Sequence, residues 1–301
     1  MGPYLAGARS PDRPDRSKEV AMSNVFVSID MEGIAGIAHL QQVMRGTDDF
    51  QASRELMTDE ANASVAGAFD GGASSVVVND SHGDMYNLLA ERMDPRAELV
   101  IGSPKVLSMM QGFGPEFDVA LFVGYHAAAG TQAAVMDHTY SGRLLYEVRL
   151  NGESVTETEL NAAFAGTYGV PVGLVTGDDK ICAVASKRIP GVRTVIVKEA
   201  FGRNVARSLH PQAARDAIRK GAADAVGSHG EMTPYTVEPP IVLEADIANT
   251  SATDLCALAP GVDRIGPRTV RFQTDDFREA FRCLLAWVYL GASEAPRYAG
   301  T

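Results

Sequence analysis

Short apolar runs of the kind that form buried strands recur along this chain, and helical patterns separate several of them. In the first two thirds of the chain the predicted strands are Val25–Ile29, Ser74–Asn79, Glu98–Ile101, Val119–Val123, Val170–Thr176 and Thr194–Val197. Residues 51–69 lie between the first two strands, carry apolar side chains at helical spacing and end at Gly71-Gly72, a usual helix stop. Strands that alternate with helices predict an α/β fold: a doubly wound, mostly parallel sheet with helices on both faces.

One part of the chain departs from this alternation. Leu145–Leu150 alternates apolar and polar residues and is followed by Asn151-Gly152, the preferred pair for a two-residue hairpin turn. Thr156 and Glu159 have the spacing of a capping box that begins a helix. We therefore expect a smaller subdomain that contains a β-hairpin.

The chain also shows candidate boundaries. Residues 1–23 are rich in Gly, Pro, Arg and Asp and are predicted to be a disordered leader, followed by a folded region at 24–301. Residues 228–240 contain three prolines and predict a connection between two lobes. Two further strands, Ile241–Ile247 and Arg268–Gln273, and a final amphipathic helix are expected after it.

Composition limits the classes of partner. With 27 basic and 38 acidic residues, the formal net charge is -11, which argues against a nucleic-acid or anionic-membrane partner. Three widely spaced cysteines form no metal-binding or redox pair and predict buried thiols in a reducing compartment. No apolar stretch approaches the roughly 18 residues of a membrane span, and the first residues lack the apolar core of a secretion signal. We therefore predict a cytoplasmic location.

Metal-capable side chains follow three of the predicted strands. Asp30 and Glu32 come directly after the first strand, His82 follows the second, and His126 follows the strand at Val119–Val123. If the sheet is parallel, these strand ends share one edge, so the four side chains can converge. Taken singly, each has a simpler interpretation, because an acidic pair after a strand is often a turn or a helix cap and a single histidine is often structural.

The types of ligand narrow the choice of metal. Imidazole and carboxylate together suit Zn²⁺, Mn²⁺, Co²⁺ or Fe²⁺, whereas Mg²⁺ and Ca²⁺ prefer oxygen ligands alone. A single catalytic zinc takes fewer protein ligands than this set offers, because it keeps an open position. Two metal ions about 3.5–4 Å apart and bridged by a carboxylate account better for the number of ligands.

Five motifs in register make the chain similar to a known family. They are Ser28-Ile29-Asp30-Met31-Glu32-Gly33, Asn79-Asp80-Ser81-His82, Gly124-Tyr125-His126, Val135-Met136-Asp137-His138, and Glu157 followed four residues later by Asn161. Together they resemble the D-aminopeptidase family of zinc metallopeptidases, also labelled dipeptide-transport proteins of the DppA type. The resemblance extends over roughly residues 24–290 and would make residues 24–301 a metallopeptidase domain.

The resemblance implies a metal centre of two zinc ions per chain and a role for each matched residue. The implied metal ligands are Asp30, Glu32, His82, His126 and Glu157, with Asp30 as the bridge. His138 matches the histidine that the family treats as catalytic, as nucleophile or as base, and we favour acid–base work. An aspartate precedes His138 where a small hydroxyl residue is expected, and it would raise the His138 pKa if the two side chains faced one another.

The predicted function is hydrolysis of short peptides by a zinc-dependent aminopeptidase, with a D-amino acid at the peptide N-terminus. The resemblance also implies a homo-oligomeric ring that encloses the active sites. Two rivals stay open: a metal-dependent amidohydrolase that acts on non-peptide amides, and a peptide-binding accessory protein without turnover. The sequence alone does not decide between D and L preference, between the two roles of His138, or between the candidate metals.

Overall fold

Twelve strands and seven α-helices follow one another along residues 23–294, the part of the chain that the computed structural model describes. The strands are β1 (Ser23–Ile29), β2 (Ala73–Asp80), β3 (Ala97–Val100), β4 (Val119–Tyr125), β5 (Leu145–Leu150), β6 (Glu153–Ser154), β7 (Val172–Asp178), β8 (Arg193–Gly202), β9 (Val205–Ser208), β10 (Ile241–Ile247), β11 (Val262–Arg264) and β12 (Thr269–Thr274). The helices are α1 (Leu40–Val43), α2 (Phe50–Asp70), α3 (Glu157–Gly166), α4 (Asp179–Arg188), α5 (Pro211–Gly227), α6 (Thr250–Cys256) and α7 (Phe277–Gly291).

Seven of these strands form the larger sheet, in the order β3-β2-β1-β4-β7-β8-β9. All neighbouring pairs in it run parallel except β8 and β9, which form an antiparallel hairpin at one edge. Every residue of β4 and β7 is buried, as expected for central parallel strands covered on both faces. The predicted fold class, a doubly wound and mostly parallel sheet, is confirmed.

Each face of the larger sheet contributes to a separate hydrophobic cluster. Val25 and Val27 point to the face covered by α2 and α5, whereas Phe26 and Phe122 pack on the opposite face with residues of α3 and α4. Because successive side chains of a strand alternate between faces, an apolar run such as β1 supplies both clusters at once.

The smaller sheet is antiparallel and has the order β11-β12-β10-β5-β6. The predicted hairpin between β5 and β6 is present, with Asn151 and Gly152 at φ values of 51° and 84°, the left-handed conformations that such a turn requires. The strand β10 alternates buried and partly buried residues, so only one face of this sheet is covered, by α6 and α7. The subdomain is thus a five-stranded sheet in which β10, β12 and β11 extend the β5–β6 hairpin from the free side of β5.

The predicted helix cap is confirmed, whereas the predicted domain boundaries stay predictions. Thr156 and Glu159 form the predicted capping box at the start of α3. Residues 228–240 connect α5, on the larger sheet, to β10, in the smaller sheet, and the division into two lobes stays a prediction. The predicted leader lies outside the described residues except for Ser23, which begins β1. Among residues 23–294, no helix combines the length and apolar character of a membrane span.

Candidate metal centre

The candidate site lies where the strand order of the larger sheet reverses. From β1 the chain continues to β2 and β3 on one side, and β4 is then added on the other side of β1. In open α/β sheets the crevice at such a switch point, past the carboxyl ends of the strands, is where ligands bind. The segments after β1, β2 and β4 carry the predicted ligands Asp30, Glu32, His82 and His126.

Two glycines allow the segments after β1 and β4 to approach closely. The Gly33 amide donates to the Gly124 carbonyl at 2.7 Å, and the Asp30 amide donates to the Val123 carbonyl at 2.9 Å. A Cβ on Gly124 would lie 2.3 Å from the Asp30 carbonyl oxygen, and Gly124 has φ +69°, a conformation that favours glycine. This close approach therefore excludes larger residues at Gly33 and Gly124. It also brings Asp30 beside His126, the residue that follows β4.

The first candidate ligand group consists of Asp30, Glu32 and His82. Nδ1 of His82 lies 2.8 Å from Glu32 Oε2 and 3.3 Å from Asp30 Oδ1, and all three residues are buried. The other ring nitrogen of His82, Nε2, lies 2.9 Å from the carbonyl oxygen of Val43 at the end of α1. Short contacts thus orient the imidazole from both sides.

The second group consists of His126, His138 and Glu157. Nε2 of His126 lies 3.5 Å from Glu157 Oε1, and Nε2 of His138 lies 3.8 Å from the same oxygen. The two imidazole rings stack with a centroid distance of 4.0 Å and an interplanar angle of 12°. His138 has a side chain that is 21% exposed, whereas the His126 side chain is 1% exposed, so His138 is the more accessible ring of the pair.

Asp30 joins the two groups. Its Oδ1 lies 3.3 Å from His82, and its Oδ2 lies 3.3 Å from Nε2 of His126. One carboxylate therefore presents an oxygen to each group, which is the position that a bridging ligand between two metal ions would take. Within each group the potential ligand atoms lie within 4.8 Å of one another.

The hydrogen bonds of the three imidazoles show that these residues fit a metal ion. In each ring one nitrogen faces a backbone carbonyl: His82 faces Val43, His126 faces Ala127 at 3.0 Å, and His138 faces Met136 at 2.9 Å. A carbonyl only accepts, so the nitrogen facing it carries hydrogen, and in the neutral ring the other nitrogen presents a lone pair.

In the neutral rings those lone pairs would face carboxylate oxygens, which also only accept, so a proton or a metal ion must lie between them. Among the described residues, the buried Nε2 of His126 has no hydrogen-bond partner, although two carboxylates lie within 3.5 Å. A cation between the nitrogen and the oxygens would satisfy both kinds of acceptor. Imidazole nitrogen with carboxylate oxygen is also the donor set that zinc accepts.

The pKa shifts of the site residues also show that the buried carboxylates favour a positive charge beside them. Burial lowers the pKa of His82 and His126, but the Glu32, Glu157 and Asp30 carboxylates outweigh it and hold both pKa values well above the ordinary one. Burial raises the pKa of Asp30 and Glu157, and the adjacent imidazoles more than reverse it, so both pKa values are lowered. Protons on the imidazoles thus balance the buried carboxylates, and a metal ion would have to displace them, so metal affinity should fall as pH falls.

Neighbouring residues hold these groups in place. Glu157 Oε1 accepts from the Tyr140 amide at 2.5 Å, and the Tyr140 hydroxyl donates to Asn161 Oδ1 at 2.6 Å. Asn161 donates in turn to the Tyr125 hydroxyl at 3.0 Å, and the hydroxyls of Tyr125 and Ser28 are hydrogen-bonded to each other at 2.7 Å. This network connects β1, β4 and α3, the elements that carry or directly precede Asp30, His126 and Glu157.

Lys198 is a supporting residue that the sequence reasoning missed. Its buried ammonium donates to the carbonyls of Glu32, Ile34 and Ile37 at 2.5, 2.9 and 2.5 Å, and so ties down the segment that carries Glu32. Burial lowers the Lys198 pKa to about 8 despite nearby carboxylates, among which Glu60 is the largest influence. A lysine within the apolar run of β8 was the available signal, because lysine is rarely buried without partners.

The structure brings all six predicted site residues together, and the six are Asp30, Glu32, His82, His126, His138 and Glu157. It does not turn Asp137 toward His138: the Asp137 carboxylate pairs with Arg203 and accepts from the Gly130 amide at 2.8 Å. Asp178 is the N-cap of α4 and accepts from the Lys180 and Ile181 amides.

An open cleft of about 540 Å³ is lined in part by residues that neighbour the second group in sequence. Its lining includes Ala128, two residues beyond His126, and Thr156, which directly precedes Glu157. Glu147, Ser154 and Arg188 also line it, so charged and polar groups share its surface with apolar ones. The cleft provides room for a small ligand, and its lining includes none of the six predicted site residues.

Comparison of the sequence with known proteins shows the family of the chain. The Peptidase M55 family model, described as D-aminopeptidase, matches residues 23–286. A D-aminopeptidase of Bacillus subtilis (strain 168) is 37% identical over 270 residues, which cover 88% of this chain and 97% of that protein.

A solved structure extends the likeness to the fold. It is described as the Zn-dependent D-aminopeptidase DppA from Bacillus subtilis, a self-compartmentalizing protease. The two structures match with a TM-score of 0.86 and 35% sequence identity, over 92% of this chain and 100% of the other. The resemblance inferred from the five motifs is confirmed, and the chain belongs to the D-aminopeptidase family.

Proposed function

We propose that this protein is a zinc-dependent aminopeptidase that removes the N-terminal residue, a D-amino acid, from short peptides. The observation that carries the proposal is the pair of ligand groups joined by Asp30 at the switch point of the sheet. Membership of the D-aminopeptidase family supports the class of reaction, and the Bacillus relative described as Zn-dependent supports the metal.

The proposed centre holds two zinc ions per chain. Glu32 and His82 would hold one ion, His126 and Glu157 would hold the other, and Asp30 would offer one carboxylate oxygen to each. When bound, zinc lowers the pKa of water and polarises the scissile carbonyl, so that hydrolysis proceeds near neutral pH. The three buried carboxylates would supply the negative charge that two divalent cations require.

His138 is assigned to proton transfer. Its Nδ1 is engaged by the Met136 carbonyl at 2.9 Å, which leaves Nε2 directed to the side where Glu157 lies. Its partly exposed ring would meet a substrate more readily than the enclosed ring of His126. A ring held in one orientation with a free nitrogen suits a general base or acid. A covalent adduct trapped on His138 would instead show direct attack by the imidazole.

The remaining features of the proposal concern the substrate and the assembly. The cleft beside Thr156 and Ala128 has room for a short peptide. The Bacillus relative is described as self-compartmentalizing, and we propose that this chain likewise forms a homo-oligomeric ring that admits only small peptides. A location in the cytoplasm is proposed from the sequence. Light scattering that showed a monomer would contradict the ring.

The test combines zinc analysis with activity on a D-Ala dipeptide, before and after chelation. We expect about two zinc ions per chain and chelator-sensitive cleavage. Asp30→Asn should lose both ions, Glu32→Gln and Glu157→Gln should each lose one, and His138→Ala should keep both ions and lose rate. Asp84→Asn is the matched control, because this exposed carboxylate lies two residues from His82 and pairs with Arg45.

Each rival function predicts a different result in the same preparation. Turnover of non-peptide amides but not of D- or L-dipeptides would favour an amidohydrolase. Tight peptide binding without turnover in the zinc-loaded protein would favour an accessory binding protein. Absence of metal after careful zinc loading would refute the proposal as a whole.

A further inference from the structure

The loop that carries His138 is held by the β8–β9 hairpin. Arg203 lies in the turn of this hairpin, and its guanidinium donates to the Asp137 backbone carbonyl at 2.7 Å and to Asp137 Oδ1. In the opposite direction the Arg203 carbonyl accepts from the Met136 amide at 2.8 Å. The two residues that directly precede His138 are therefore both bound to one residue of the hairpin.

This loop needs external support because its backbone is strained. Ala133, Met136 and Tyr140 have φ values of 53°, 45° and 57°, in the left-handed region that residues with a side chain rarely adopt. Such conformations persist where the surrounding contacts over-determine them, and they cluster at functional sites. His138 lies between the second and third of these residues, so its position depends on the contacts that hold the loop.

The support of the loop includes an ion pair between Asp137 and Arg203. The Asp137 side chain is 10% exposed, and its two oxygens bind Arg203 and the Gly130 amide, the latter at 2.8 Å. Gly130 belongs to the segment after β4, so the Asp137 carboxylate connects that segment to the hairpin. Without Arg203 the carboxylate would keep a single partner and lose its counter-charge, directly beside His138.

We propose that Arg203 is a positioning residue for His138. Its pairing with Asp137 holds the strained loop so that the His138 ring stays stacked on His126 at 4.0 Å. The inference rests on the proposed function, in that it takes His138 to act in the reaction. Arg203 forms its hydrogen bonds and ion pair with Asp137 and Met136, and with neither a proposed ligand nor His138, so it acts through the loop.

The experiment uses the zinc-loaded full chain. Arg203→Ala should lower kcat for a D-Ala dipeptide about tenfold, because a small displacement of a catalytic group has a large effect on rate. KM should stay within about twofold and the zinc content should not change, because no proposed ligand is contacted. Amide hydrogen exchange of residues 133–140 should become faster. Arg203→Lys, which keeps a charged donor, should recover part of the rate and of the protection.

The matched control is Arg207→Ala. Arg207 lies on the same hairpin, is 74% exposed at its side chain, and pairs with Glu199 rather than with the His138 loop. We expect wild-type kcat and wild-type exchange from this variant. Asp137→Asn provides a second test from the other side of the pair and should reproduce the effects of Arg203→Ala if the ion pair is responsible.

Different results would overturn the inference and the proposed function. Unchanged kcat and unchanged exchange of residues 133–140 in Arg203→Ala would overturn the role of Arg203, and so would loss of zinc in that variant. If the wild-type protein cleaves no D-Ala dipeptide, the proposed function fails. In that case the exchange measurement decides alone: faster exchange in Arg203→Ala supports the positioning role, and equal exchange refutes it.

Discussion

Substitution of Gly33 by alanine tests whether the close approach of the segments after β1 and β4 sets the distances between the proposed metal ligands. A Cβ at this position would lie 2.1 Å from the Tyr125 carbonyl oxygen and 2.3 Å from the Gly124 carbonyl carbon. Both are backbone atoms of the β4 end, so neither can rotate away. For Gly33→Ala to reach an ordinary contact of about 3.4 Å or more, the segments must separate by about 1 Å.

That separation acts on the site directly. Gly33 follows Glu32, and Tyr125 precedes His126, so the shift would open the 3.3 Å gap between Asp30 Oδ2 and His126 Nε2. Metal–ligand distances tolerate about 0.2 Å, so zinc binding should weaken or be lost. Activity should fall by about 100-fold or more. Forcing a methyl group into a filled space should also lower the free energy of unfolding by about 1–3 kcal/mol.

The assay compares Gly33→Ala with Gly230→Ala in zinc content, in kcat/KM on a D-Ala dipeptide, and in chemical denaturation. Gly230 is a suitable control because a Cβ there meets no atom within 4 Å among the described residues. If Gly33→Ala bound as much zinc and cleaved as fast as Gly230→Ala, the argument that the close approach sets the ligand distances would be refuted.

Two further substitutions test the buried titratable residues Lys198 and Glu60. Lys198→Met leaves three buried carbonyls without their donor and should lower the free energy of unfolding by about 3 kcal/mol. In the same denaturation the control Lys220→Met, at an exposed lysine, should change it by less than about 0.5 kcal/mol. Equal effects of the two substitutions would contradict the supporting role of Lys198. Burial raises the Glu60 pKa from 4.5 to about 7, so the folded chain keeps a proton there that the unfolded chain releases, and stability falls as pH rises through that window. Glu60→Gln should remove about 3 kcal/mol of this fall in the free energy of unfolding. The measurement compares the free energies of unfolding of the variant and the wild type, both metal-free, at pH 5 and at pH 8. If the variant differed from the wild type by the same amount at both pH values, the titration of Glu60 would be refuted as the cause.

Much of the fold was predictable because its signals are local. The apolar runs predict the parallel strands, Asn151-Gly152 predicts the hairpin turn, and Thr156 with Glu159 predicts the start of α3. The extent of the smaller sheet was not predictable in this way, because β10 pairs with β5 across about ninety intervening residues. Pairing over that distance depends on how the whole chain packs, which no local pattern records.

For the site, the sequence by itself determined the chemistry that is available: carboxylates and imidazoles placed directly after three strands. Glu157 and His138 were recognised only through the resemblance to a family, because one reads locally as a helix-start carboxylate and the other as a loop residue. The supporting residues escaped detection for a related reason. Lys198 and Arg203 contact partners 166 and 66 positions away along the chain, at Glu32 and Asp137.

Only the tertiary structure decided how these side chains meet. The order of β2, β1 and β4 sets three strand ends side by side, and two glycines let their backbones touch. It also decided that the two oxygens of Asp30 face different histidines and that Asp137 faces Arg203 rather than His138. The physical reason is that ligand geometry depends on distances of a few ångströms between remote segments, which packing and buried hydrogen bonds set.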